Sequence, residues 1–112
     1  MKIKEYISQN KEKFLNELFE LLKIESVSAD PKFKNEVDKA SGFIVTKLKL
    51  LGLDNVEKIQ TKGHPIVYGE KILNPNYKTI LVYGHYDVQP ADPYELWDTP
   101  PFQPQIKNNK IY

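Results

Sequence analysis

The sequence predicts an α/β fold, and three observations carry that expectation. Two long stretches repeat apolar residues every three to four positions. Two short strand-like runs flank a turn, and one continuous apolar run, Thr79 to Tyr83, has the pattern of a central strand covered on both faces.

In the first stretch Ile3, Ile7, Phe14, Leu18 and Leu21 share one side of a helical wheel, widened by Leu15 and Leu22, with Lys, Glu, Asn and Gln between them. That spacing predicts an amphipathic helix over about residues 3 to 23, ended by SVSADP, with the stripe as core. Asp30-Pro31 is a helix start, a capping side chain followed by proline at the first helical position. The second stripe, Phe33, Val37, Ala40, Ile44, Leu48 and Leu51, predicts a helix over residues 32 to 51, with Gly52 as its C-terminal cap. Gly42 weakens that helix slightly, and its length prevails over the strand-like Phe43 and Val45. Val56 to Thr61 and Ile66 to Lys71, separated by Lys62-Gly63-His64-Pro65, fit a hairpin. Asn74-Pro75-Asn76 is a turn.

After Val88 come five prolines in QPADPYELWDTPPFQPQ, too dense for regular structure, so a long stiffened loop is expected, with Trp97 and Phe102 pinning it to the domain. Its carboxylates Asp92, Glu95 and Asp98 read as ordinary loop polarity. Gln105 to Lys107 and Lys110 to Tyr112 then read as a hairpin about Asn108-Asn109, because asparagine tolerates the positive φ of a two-residue turn. The last strand has three residues before the sequence stops, so the chain is expected to be cut from a longer one.

The 112 residues have room for one small domain. A net charge of +1 with Lys and Glu interspersed argues against nucleic acid or an anionic membrane as partner. No apolar run approaches the roughly 20 residues of a bilayer span. Charges interrupt MKIKEYISQNKEKF, which leaves no signal-peptide core and suggests the cytoplasm. The absence of cysteine excludes a disulfide scaffold and thiolate metal ligation.

The chemistry concentrates in TILVYGHYDVQP, residues 79 to 90. Alternation along a strand puts His85 and Asp87 on the same side, roughly 6–7 Å apart along the backbone. Ligands of open α/β sheets bind beyond the carboxyl ends of strands. A histidine there can offer one ring nitrogen to a metal while the carboxylate holds the ring in the needed tautomer. His-x-Asp alone is common, and a hydrogen-bonded pair without metal satisfies the spacing equally. His64, in its KGHP turn, reads as an exposed turn histidine. Tyr83, Tyr86 and Tyr94 read as packing and rim residues.

LLKIESVS at the end of the first helix, KLKLLGL at the end of the second, TILVYGHYDVQP and ELWDTPPFQPQIKNNKIY occur in an order that resembles the dinuclear zinc peptidases and deacylases. That family includes carnosinase-like dipeptidases, aminoacylase, acetylornithine deacetylase and succinyl-diaminopimelate desuccinylase. GHYDVQP followed by Trp97, PPF and a polar hairpin turn is the specific part, and Tyr86 with Gln89 is closest in form to the dipeptidase branch.

The resemblance implies the N-terminal part of a three-layer α/β/α catalytic domain, containing two helices, a hairpin, a central strand and the start of a further hairpin. It implies His85 as a ligand of one of two zinc ions, with manganese or cobalt as other possible metals, and Asp87 as a catalytic-site residue supporting that histidine. Substrates would be small peptides or N-acyl amino acids, hydrolysed by a zinc-activated water, and the full-length protein would be a homodimer. The family's bridging aspartate, glutamate base and remaining ligands have no counterpart here, nor does its smaller dimerisation domain. The chain alone is therefore expected to be inactive and to bind zinc no better than a surface histidine. The alternative is a non-catalytic domain serving as a binding or assembly module.

Overall fold

A computed structural model describes residues 1–112. They form two compact units, one comprising residues 1–24 and 91–112, the other residues 25–90.

In the first unit α1 spans Ile3–Gln9 and α2 spans Lys11–Leu22. The single helix expected over residues 3 to 23 is thus broken at Asn10 (φ −108°, ψ 10°). The Asn10 side-chain amide donates to the Tyr6 carbonyl at 2.9 Å, the local competition with the helical ladder that makes asparagine a poor interior residue. Tyr6 and Phe14 bridge the break with ring centroids 5.9 Å apart. The stripe is not the core it was expected to be: neither helix contains a buried residue, and Ile3 and Ile7 are exposed.

The proline-rich loop contains one short 3-10 turn, Tyr94–Leu96, and a cis Asp92–Pro93 bond. Trp97 donates its indole N–H to the Ala91 carbonyl at 2.8 Å, so it ties the loop to itself. β3 (Ile106–Lys107) and β4 (Lys110–Ile111) pair antiparallel across Asn108 and Asn109, at φ 53° and 59°. Two successive left-handed residues are what a primed two-residue turn requires.

The second unit contains the buried core. Asp30 caps a 3-10 turn, Pro31–Phe33, by accepting from the Lys32 amide, and α3 (Lys34–Leu50) follows. Val37 and Ala40 are fully enclosed, while Leu51 at the end of the predicted stripe is exposed. Gly52 at φ 75° ends the helix in the left-handed conformation expected of it, and the Leu53 amide reaches back to the Leu48 carbonyl.

β1 (Asp54–Ile59) and β2 (Ile66–Glu70) form the expected hairpin, starting two residues early with a bulge near Asn55. A Cβ at Gly69 would lie 3.3 Å from Leu48 and Leu53 methyl carbons, so glycine lets α3 pack closely on the hairpin. The Lys58 ammonium, 2.6 Å from the Asp38 carboxylate, adds a tie between β1 and α3.

Thr79 to Tyr83 departs from expectation. It belongs to no strand, and Ile80, Leu81, Val82 and Tyr83 are 84, 91, 86 and 89% exposed. A central strand needs hydrogen-bonded neighbours on both sides and cover on both faces. The two hairpins pair only within themselves, so no strand is hydrogen-bonded to this run.

Candidate functional site: the His85–Asp87 pair

The segment that carries His85 and Asp87 lies within the second unit and is held by residues 26–28. Val27 is 1% exposed and forms a parallel bridge to Val88, with the Val88 amide donating to the Ser26 carbonyl at 3.0 Å. The buried Ser26 hydroxyl donates to the Tyr86 carbonyl at 2.9 Å. The Tyr86 hydroxyl donates to the carbonyl of Pro65, itself buried. Burial, followed by the charges of Asp87 and Asp38, pushes the Tyr86 phenol above its usual range. Tyr86 is therefore a packing residue, as its sequence context suggested.

His85 and Asp87 come together at one end of this anchored segment. His85 Nδ1 lies 3.2 Å from Asp87 Oδ1 and 3.0 Å from the Asp87 carbonyl oxygen. The carbonyl can only accept, and so can the carboxyl once it is ionised, so Nδ1 carries the proton in the neutral ring. The lone pair is then on Nε2, and the His85 side chain is 76% exposed. The other carboxylate oxygen, Asp87 Oδ2, accepts from the Ser28 hydroxyl at 2.6 Å. That bond is the largest influence holding the Asp87 carboxyl below its usual range; partial burial opposes it and the His85 contact reinforces it. An ionised carboxylate, an oriented ring and an open nitrogen are what a metal-binding histidine requires.

His64 is not the exposed turn residue that its KGHP context suggested. It is half-buried, and its Nε2 lies 3.0 Å from the Ser28 carbonyl, an acceptor, so this nitrogen is the donor. Sequence reading passed over Ser28 as well. The available signal was the Ser26-Val27-Ser28 alternation, which in an extended segment puts both hydroxyls opposite the buried valine. Nothing near His64 in the sequence announces its partner 36 positions away.

Trp97, Phe102, Asp92, Glu95 and Asp98 belong to the other unit. His85 fits one coordination position through Nε2. No group of three or more His, Asp or Glu side chains with metal-binding proximity is formed by these 112 residues.

No protein-family profile matches the chain. It is 34% identical to the Cys-Gly metallodipeptidase dug1 of Schizosaccharomyces pombe over 96% of its own length, covering 24% of that protein. It is 29% identical to the Beta-Ala-His dipeptidase of Homo sapiens over 99% of its length, again covering 24% of the relative. The solved structure of the di-peptidase Dug1p from Saccharomyces cerevisiae superposes with a TM-score of 0.84 at 31% identity, over 92% of this chain and 24% of that one. The chain thus spans about a quarter of the length of the curated relatives it matches, and its mixed helix-and-strand fold is that of a segment of Dug1p.

Proposed function

We propose, from the premise that the chain belongs to the metallodipeptidases, that it is the N-terminal part of a zinc-dependent dipeptidase acting on small peptides. The observation that carries this reading is the His85–Asp87 pair, which engages Nδ1 and leaves Nε2 without a hydrogen-bond partner on an exposed side chain, at the one place where the chain combines a histidine with an ionised carboxylate.

His85 is the zinc ligand through Nε2. Asp87 holds the Nδ1 proton, fixing both the tautomer and the plane of the ring. A bound zinc supplies Lewis acidity to a peptide carbonyl and lowers the pKa of a bound water. Catalytic zinc usually takes about three protein ligands. His85 supplies one here, and the others would come from the rest of the enzyme. Alone, the 112 residues are proposed to bind zinc weakly and to turn over no substrate. The proposed whole enzyme is a homodimer, as the family resemblance implies.

The test uses an enzyme containing residues 1–112, assayed with Cys-Gly and β-Ala-His before and after chelation. The reading expects hydrolysis that stops on chelation and returns with zinc, and a lower zinc content in His85→Ala. Hydrolysis indifferent to chelation would contradict it. Absence of hydrolysis in the zinc-loaded protein would favour the binding-module alternative.

A further inference from the structure

We infer that Ser28 is a positioning residue for the metal site: its hydroxyl fixes the Asp87 carboxylate so that the carboxylate can hold His85 in the Nδ1–H tautomer. This rests on the reading of His85 as an Nε2 ligand.

Asp87 needs such help. Its contact with His85 is 3.2 Å long and made between side chains 76 and 39% exposed, a kind of pair that holds geometry weakly. The terminal torsion of an aspartate is broad and roughly two-fold, so one such contact leaves the carboxylate plane loosely defined. The Ser28 bond differs. At 2.6 Å it has the length of a charge-assisted O–H···O⁻ bond, and it takes the oxygen that His85 does not use. With one oxygen held by Ser28, the other is directed at Nδ1.

Ser28 is itself placed in advance. The Val27–Val88 bridge fixes the backbone on its N-terminal side, and His64 Nε2 holds the Ser28 carbonyl at 3.0 Å. Ordering the hydroxyl therefore adds little entropy cost beyond that of its own rotor. His64, Ser28, Asp87 and His85 are linked in a chain that passes through the backbone carbonyl and then the hydroxyl of Ser28, running from the half-buried turn before β2 to the exposed His85 side chain. In that chain His64 anchors the serine backbone, and Ser28 orients the carboxylate.

The experiment measures the His85 tautomer in the metal-free chain by long-range 1H–15N correlation, at a pH where the same spectra show the ring to be neutral. Wild type, Ser28→Ala and Ser28→Thr are compared, with the Val37 and Ala40 amide shifts reporting whether the core is intact. Wild type is expected to hold mainly Nδ1–H. Ser28→Ala should lower the Nδ1–H to Nε2–H ratio about fivefold, the factor that one net hydrogen bond contributes. Ser28→Thr, which keeps the hydroxyl, should restore it. A merely structural role would shift the core amides and leave the ratio unrescued by threonine. A wild-type ratio in Ser28→Ala with an intact core overturns the positioning role while leaving the His85 reading in place. Predominant Nε2–H in wild type overturns that reading itself.

Discussion

Asp87→Asn keeps the shape of the side chain and removes its charge, which makes its cost calculable from the contacts. The amide oxygen must face His85 Nδ1–H, because an NH2 there would oppose donor to donor. The NH2 then meets Ser28 Oγ, which turns from donor to acceptor, so both contacts survive as neutral ones. A hydrogen bond to a charged group contributes about 1.5–3 kcal/mol net against about 1 kcal/mol for a neutral one. Solvent screening reduces the His85 share to the roughly 0–1 kcal/mol of an exposed pair. The expected loss at neutral pH is therefore about 1 kcal/mol, most of it from the 2.6 Å Ser28 bond. The loss depends on pH in a defined direction. Asp87 titrates below the ordinary aspartate value of about 3.9, so its charge stabilises the fold above that value and ceases to do so as pH falls through the lower, folded one. Urea unfolding followed by far-ultraviolet circular dichroism should show the gap between wild type and variant near pH 7 and a shrinking gap as pH falls below the ordinary aspartate value. A gap that stays constant as the pH falls, or no gap at any pH, would refute the assignment of Asp87 as an ionised, doubly bonded carboxylate.

Three further substitutions test the frame that holds the pair. Val37→Ala empties a fully enclosed position and should cost about 2 kcal/mol, seen as a lower urea midpoint with unchanged slope; an unchanged midpoint would mean that α3 is not packed as described. Gly69→Val places methyl groups where even a Cβ meets Leu48 and Leu53 at 3.3 Å, so a loss of about 1–3 kcal/mol is expected, and a neutral result would count against that close approach. Asn109→Val forces a β-branched residue into φ 59° and should cost about 1–2 kcal/mol locally. The cross-strand nuclear Overhauser contact between Ile106 and Ile111 should weaken, and its survival would show a different turn.

What the sequence made legible was chemistry that acts over a few residues. Asp30-Pro31 starts the region of α3, Gly52 ends the helix at positive φ, and Asn108-Asn109 turn β3 into β4. Each is set by backbone sterics or a neighbouring donor. The break at Asn10 was missed because helical periodicity passes through a single asparagine without a mark. The failure at Thr79 to Tyr83 is of another kind. Apolarity states what a run would bury against, and does not say that its partners lie within the same 112 residues. The pairing of His85 with Asp87 was readable because both sit in one motif. Ser28 and His64 were not, because their contacts span 59 and 36 positions of the chain. The Ser26-Val27-Ser28 alternation sets the side on which the hydroxyl lies but names no partner for it until the fold brings Val27 beside Val88.

Whether His85 is presented to a metal through Nε2 is decided by a zinc titration of the 112-residue chain followed at the histidine ring nitrogens. His85 Nε2 should shift progressively, with weak affinity, because it is bare and exposed while Nδ1 stays with Asp87. His64 Nε2 should stay in place, because it is committed to the Ser28 carbonyl. Zinc moving His64 and leaving His85 unchanged, or entering His85 at Nδ1, would contradict presentation through Nε2.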